Sequence, residues 1–246
     1  MFEKLAVQSA YHQVVDAIES KILSGELSLG DPLGTESELE EQFGVSRSSI
    51  REGLRVLEHL GVLTREKGRR LSVGKPKSSI LNAQISRSLL LQHVTYRDLV
   101  EFLSFIEMAS IESALDATCD DLLKKLKVNL AQTKKSMNKP KKLASLDVEF
   151  HTLLAHATQN GAMIMAYEPV GQLIYASTQQ IFESASIGAQ RLYDAHAILV
   201  DALERKDRDM ALSWMKKHIL DFEKGLMTAN VNFDEPVNPK YWTPTQ

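Results

Sequence analysis

The stretch Gly44-Val45-Ser46-Arg47-Ser48-Ser49-Ile50-Arg51-Glu52-Gly53-Leu54 decides how the first third of the chain folds. Ser46 is a good N-cap. Behind it Ile50, Leu54 and Leu57 recur at helical spacing, while Arg47, Arg51 and Arg55 recur every fourth residue on another face. Gly44 can adopt the left-handed conformation that ends a preceding helix, and Thr35 with Glu38 is the capping-box pair that would start it. Two short helices joined at Gly44-Val45-Ser46 make a helix-turn-helix. Upstream, Tyr11, Val14, Val15, Ile18 and Ile22 predict a first helix closed by Gly25. Downstream, Val62 to Glu66 and Arg69 to Val73 flank Lys67-Gly68 and predict a hairpin, the wing of a winged helix-turn-helix.

Beyond this module the pattern changes. Eight of the twelve glycines fall between positions 25 and 74, and none occurs again until Gly161. After the linker-like stretch Gly74-Lys75-Pro76-Lys77-Ser78-Ser79, apolar residues recur at helical spacing. This predicts helices at about 80 to 92, 96 to 117, 120 to 137, 141 to 158, 162 to 184, 188 to 205 and 208 to 228. Pro169 and Gly171 predict a kink or break within the fifth of these. The expected architecture is mainly α: a winged helix-turn-helix over residues 1–76, an all-α bundle over 77–229 and an extended tail over 230–246, where Pro236, Pro239 and Pro244 stand.

The chain's 29 Lys and Arg against 32 Asp and Glu give a net charge of −3, which excludes a uniformly basic nucleic-acid coat. Between Arg47 and Lys75, however, eight basic residues face three acidic ones. An arginine fork can bridge guanine O6 and N7 or clamp a phosphate, and short hydroxyls near a helix start add donors. The expected DNA-reading set is Arg47, Ser48, Ser49, Arg51 and Arg55, with Gly68 and Arg69 at the wing tip; the plain alternative is a solvated arginine face. The lone Cys119 excludes an intramolecular disulfide and any multi-cysteine zinc ribbon. With no apolar run near 20 residues, and no secretory pattern in the opening MFEKLAVQSAYHQ, the expected location is the cytoplasm, away from membrane.

A second constellation lies in the bundle. Asp147 and His151 are four apart on a face that also carries Leu143, Phe150 and Leu154, so both polar groups point inward. His196 sits in the stripe Leu192, His196, Leu199, Leu203, and His218 in the last helix ahead of Phe222. Singly, each histidine reads as a packed core residue. Together, three histidines and one aspartate converging from three helices predict one divalent metal ion. Zinc comes first by donor type, and nickel, manganese, cobalt or iron(II) also suit the set. His12, His59, His93 and His156 fit no such convergence, and no second carboxylate is evident as a general base.

Gly25-Glu26-Leu27-Ser28-Leu29-Gly30-Asp31-Pro32-Leu33, Glu36-Ser37-Glu38-Leu39 and the stretch from Gly44 to Leu54 resemble the GntR family of bacterial transcriptional regulators. Gly34 stands where the family usually has proline, Ser37 where many members have arginine, and Gly53 where alanine is usual. Asp147-Val148-Glu149-Phe150-His151, Ala195-His196-Ala197-Ile198-Leu199 and Met215-Lys216-Lys217-His218-Ile219 resemble the sensory domain of its FadR-like subgroup. The resemblance implies a homodimer on a pseudo-palindromic double-stranded DNA operator. It also implies a small organic acid effector contacting a metal held by the four residues. An arginine common in the first sensory helix is replaced here by Leu103, which implies a more apolar acid or binding by the metal alone. Two other readings stay open: a metal-dependent hydrolase on a helical bundle, and a regulator with a purely structural metal.

Overall fold

Caps and apolar stripes place the N-terminal elements. In the computed structural model, which describes residues 9–65, 70–76, 78–117, 119–184 and 186–239, the chain divides after Leu81 into two compact units. In the first, α1 (Ala10–Leu23) buries Val14, Val15 and Ile18. α2 (Glu36–Phe43) starts in a reciprocal capping box: the Thr35 hydroxyl accepts from the Glu38 N–H at 3.2 Å, and the Glu38 carboxylate accepts from the Thr35 N–H at 2.6 Å. Gly44, at φ +64°, closes it. α3 (Arg47–His59) follows Ser46 and turns Ile50, Leu54 and Leu57 into a core with Val14, Ile18, Leu39, Leu63 and Leu71. Burying each such side chain contributes about 1.5–3 kcal/mol, enough in sum to hold a small three-helix unit.

Three short strands complete the unit: β1 (Pro32–Gly34), β2 (Leu63–Arg65) and β3 (Leu71–Val73), antiparallel in the order β1-β3-β2. The expected hairpin is β2 with β3. β1 was not anticipated, because a three-residue segment bounded by proline and glycine reads as turn. Gly34 stands there at φ +91°, a conformation closed to the proline usual at this position. Gly53 also has a packing reason: a Cβ at that point would sit 3.1 Å from the Tyr11 carbonyl oxygen and 3.1 Å from Val14 Cγ1, so glycine lets α1 and α3 approach closely. The expected wing-tip residues Gly68 and Arg69 lie outside the described residues.

The second unit is helical. The boundary falls inside α4 (Ser78–Leu91), and α5 (Tyr96–Asp116), α6 (Asp120–Lys135), α7 (Pro140–Ala157), α8 (Gly161–Ser184), α9 (Ser186–Arg205) and α10 (Arg208–Thr228) follow in order. Starts are set locally: Thr95 and Asp98 form a second capping box, Pro140 occupies the first turn of α7, and Asp207 accepts from the Met210 N–H at 3.0 Å. α7 packs against α5, α6 and α8, while α10 packs against α5, α8 and α9. The core joins Ile111, Leu126, Phe150, Leu154, Leu199, Leu203 and Met215.

The interruption expected at Pro169 does not break α8, which continues through it as one helix. The carbonyl that loses its helical partner is that of Met165, a residue 51% exposed, where water can donate instead. Ser86 of α4 donates to the Pro169 carbonyl at 2.9 Å, tying the two helices. From Asn230 to Pro239 the chain carries no α-helix and is docked. Arg97 N–H donates to the Phe233 carbonyl at 3.0 Å, Val237 N–H donates to the Val94 carbonyl at 2.9 Å, and both Phe233 and Val237 are buried. Among the described residues no helix is long and apolar enough to cross a membrane.

Candidate functional site

α3 presents its arginines outward. The Arg47 and Arg51 side chains are about two-thirds exposed, and each sets its Nε near one Glu36 oxygen, at 3.8 and 3.9 Å. Contacts of that length between exposed groups hold weakly and leave the guanidinium forks available. Arg55 is exposed on the same helix. Ser48 and Ser49 are engaged locally instead: their hydroxyls lie 2.9 and 3.0 Å from Ser46 Oγ, which also caps the Ser49 N–H. Arg65 is occupied as well, donating from Nε to Glu58 at 2.6 Å, and that bond raises its pKa.

In the helical unit, α7 carries Asp147 and His151 one turn apart, α9 carries His196 and α10 carries His218. One ligand-type atom from each lies within 4.8 Å of all the others. Asp147 Oδ1 is 3.6 Å from His151 Nε2 and 3.4 Å from His196 Nε2, and His151 Nε2 is 3.0 Å from His218 Nε2. Ligands at about 2.0–2.2 Å from a common ion are separated by about 3.0–3.5 Å at their edges, so these spacings match such a set. Phe150 stacks on the His196 ring with centroids 3.7 Å apart and planes at 10°, which fixes the imidazole.

The polar bookkeeping points the same way. Asp147 Oδ1 and both nitrogens of His196 are buried and have no hydrogen-bond partner. An unsatisfied buried polar atom costs about 1–3 kcal/mol, and a cation among these atoms would remove much of that cost. The donor set fits a divalent metal on this observation.

Glu107 of α5 belongs to the site although the sequence reading did not include it. Its Oε2 lies 2.7 Å from His151 Nδ1, and both side chains are buried. Burial alone would push the His151 imidazole down; the Glu107 charge and hydrogen bond, helped by Asp147, outweigh it and hold the group up at about 8. His196 is pushed well below the usual histidine range by burial and then by His151. His218 is lowered by burial and by both histidines, with Asp147 opposing. Tyr167 of α8, also hydrogen-bonded to Glu107, is held well above the usual phenol range, first by burial and then by the two carboxylates. Glu107 is thus a buried carboxylate beside the four, and it does not supply the general base that the sequence also lacked. It grips the ring nitrogen opposite the cluster, the position of a group that orients a ligand histidine rather than a general base.

A signal for Glu107 existed: it continues the buried stripe Leu99, Leu103, Ile106, and an acid on such a face needs a partner. Two cavities adjoin the cluster. One, of about 40 Å³, is largely apolar and lined by Leu103, Glu107, His151, Tyr167 and His218. The other, of about 110 Å³, is lined by Asp147, His218, Ile181, Phe182, Arg191 and Asp221 among others.

Residues 10–73 match the family described as bacterial regulatory proteins, gntR family, and residues 98–221 match the FCD domain. The chain is a GntR-family transcriptional regulator with an FCD effector-binding domain. This GntR regulator is 25% identical over 219 residues to the HTH-type transcriptional repressor NanR of Cronobacter sakazakii, which spans 87% of this chain and 84% of the relative. It is 28% identical over 223 residues to the Uxu operon regulator of Haemophilus influenzae, spanning 87% and 80%. To the HTH-type transcriptional regulator LutR of Bacillus subtilis it is 24% identical over 206 residues, spanning 82% and 94%. The solved structure of Streptococcus agalactiae GntR superposes with a TM-score of 0.60 at 26% identity, covering 87% of this chain and 99% of that one. The two matched segments of the regulator correspond to the helix-turn-helix around Arg47 to Arg55 and to the bundle around the Asp147 cluster.

Proposed function

We propose that this regulator binds a pseudo-palindromic operator as a homodimer in the cytoplasm, and that a small organic acid bound at a metal site in the bundle controls that binding. Residues 1–76 read DNA, residues 77–229 sense the acid, and 230–246 form the tail. Arg47, Arg51 and Arg55 carry the readout. Ser48 and Ser49 serve the N-terminus of the reading helix, and Gly68 and Arg69 supply the wing-tip contact. Homodimerisation follows from the reach of one short recognition helix, which covers only a half-site.

Asp147, His151, His196 and His218 would hold the ion, zinc first by donor type. The observation that carries this reading is the buried cluster with its unpartnered Asp147 and His196 atoms. A divalent ion bound there supplies a Lewis-acidic anchor for an acid's carboxylate. Glu107 fixes the His151 tautomer, keeping Nδ1–H toward itself and the Nε2 lone pair inward. Phe150 fixes the ring of His196. Because the four residues come from α7, α9 and α10, occupancy sets the relative placement of these helices. An acid that favours one placement shifts the balance between bundle arrangements.

The test is His196→Ala in the full-length protein. The variant is expected to lose stoichiometric metal by elemental analysis and to lose the metal-dependent response to added acids in an operator gel shift, while still binding DNA. Retention of stoichiometric metal would show that these side chains are core residues. Metal loss with an unchanged acid response would make the metal structural only.

A further inference from the structure

The larger cavity beside the cluster is lined both by cluster residues, Asp147 and His218, and by the charged pair Arg191 and Asp221, with apolar Ile181 and Leu192 among the rest. Asp147 is nearly buried, at 11% exposure, whereas Arg191 is 56% exposed, so the cavity joins the buried cluster to a cation near the surface. Along α9, Arg191 lies five residues before His196, about 7.5 Å of rise. Arg191 is not saturated. Its side chain is 56% exposed, and its ion pair with Asp221 is 4.0 Å long, the outer limit of such a contact. Leu103, which replaces the arginine expected in the first sensory helix, lines the other, smaller and largely apolar cavity.

From this juxtaposition we propose that Arg191 supplies the effector's second anchor and that the regulator prefers short dicarboxylic acids. One carboxylate lies at the cluster, the methylene chain lies along the apolar lining, and the other carboxylate displaces Asp221 from the Arg191 guanidinium. Burying a carboxylate against that lining without a cation would be costly, which disfavours acids too short to reach Arg191. A monoacid of the same length leaves Arg191 with Asp221 and gains nothing there. The volume of about 110 Å³ is several times the roughly 10–15 Å³ that a single water needs, enough for a short acid.

This rests on the proposed metal-anchored effector site, and the experiment separates the two. Zinc-loaded full-length protein is titrated calorimetrically with carbon-matched pairs: succinate against butyrate, and glutarate against valerate. In each pair the diacid should bind about tenfold or more tightly, in line with a charge-assisted pair in a half-buried site. Arg191→Gln should bring the diacids down to the level of the monoacids while leaving zinc content and monoacid affinity unchanged. Asp221→Asn, which removes the competing carboxylate, should tighten the diacids alone. Equal affinities within the pairs, or an Arg191→Gln variant that keeps the diacid preference, overturns the Arg191 assignment and leaves the metal site standing. If no acid of either kind binds the zinc-loaded protein, the effector site itself is refuted, and the Arg191 assignment with it.

Discussion

Glu107 would make the proposed metal site compete with a proton, and the size of that competition follows from the structure. Before metal enters, His151 is held at about 8 by the Glu107 carboxylate 2.7 Å from Nδ1, so it carries a proton on each nitrogen at neutral pH. The metal must displace the proton on Nε2, since only a free lone pair can ligate. At pH 7.0 about nine-tenths of metal-free molecules carry that proton, and at pH 8.5 about a quarter do. Apparent affinity for nickel or zinc should therefore rise about eightfold between these pH values. His196 and His218, both pushed low by burial, are already neutral and add nothing to this slope.

Glu107→Gln removes the charge but keeps the shape. Burial then dominates His151 and drives its pKa below the usual histidine value, so the affinity should be flat from pH 7.0 to 8.5. The variant also loses the carboxylate that orients the ring and raises its basicity, which costs about tenfold to a hundredfold in metal affinity when no proton competes. The deficit should thus be largest at pH 8.5 and about eightfold smaller at pH 7.0. Competition against a chromophoric chelator at both pH values measures all four affinities. Parallel pH slopes in the two proteins would refute the argument that Glu107 holds a proton on His151. The same linkage gives the metal-free fold its own signs. The His151 contribution is present below pH 6.5 and is lost as pH rises through about 8; that of His196 and His218 is present above pH 6.5 and is lost as pH falls below it.

Arg51→Ala should weaken specific operator binding by about 1–3 kcal/mol for a lost bidentate contact and relax base preference at one position, read by fluorescence anisotropy on single-base operator variants; unchanged affinity and preference would remove Arg51 from the readout. Sedimentation at micromolar concentration should show a dimer, and a monomer with and without operator would rule out the two-fold arrangement. Gly53→Ala should fall short of the roughly 1 kcal/mol of stability that alanine adds in an open helix, because α1 must retreat a few tenths of an ångström from the new Cβ, and thermal unfolding of the protein reads the difference; a full gain would show that the approach of α1 to α3 is slack.

Most of the scaffold was legible because its signals are local. Thr35 with Glu38, Ser46, Thr95 with Asp98 and Pro140 each settle a helix start within four residues of sequence. The inward course of Asp147, His151 and His196 follows from the apolar residues spaced around them, so the cluster could be assembled without knowing how the helices pair. β1 could not, because Pro32-Leu33-Gly34 becomes a strand only where β3 offers it an edge. α8 survives Pro169 for a similar reason: neighbouring structure, including the bond from Ser86, supports the turn that sequence alone would break.

The residues to which we assign the site's specificity are the ones that local pattern hides. Glu107 is one step in a stripe of leucines and isoleucines and gains meaning only when α5 is laid against His151 of α7. Arg191 is half-exposed on α9 and, by sequence, indistinguishable from any solvated arginine; it faces the cavity because α9 and α10 run side by side and Asp221 lies opposite. Leu103 on α5 lines the smaller, largely apolar cavity, whereas the cavity that holds Arg191 is walled in part by α9 and α10. In the proposed arrangement an acid that must meet both the cluster and a guanidinium therefore has to extend along α9 and α10 rather than across α5. Length selectivity, more than charge alone, is then the property by which this pocket should choose its acid.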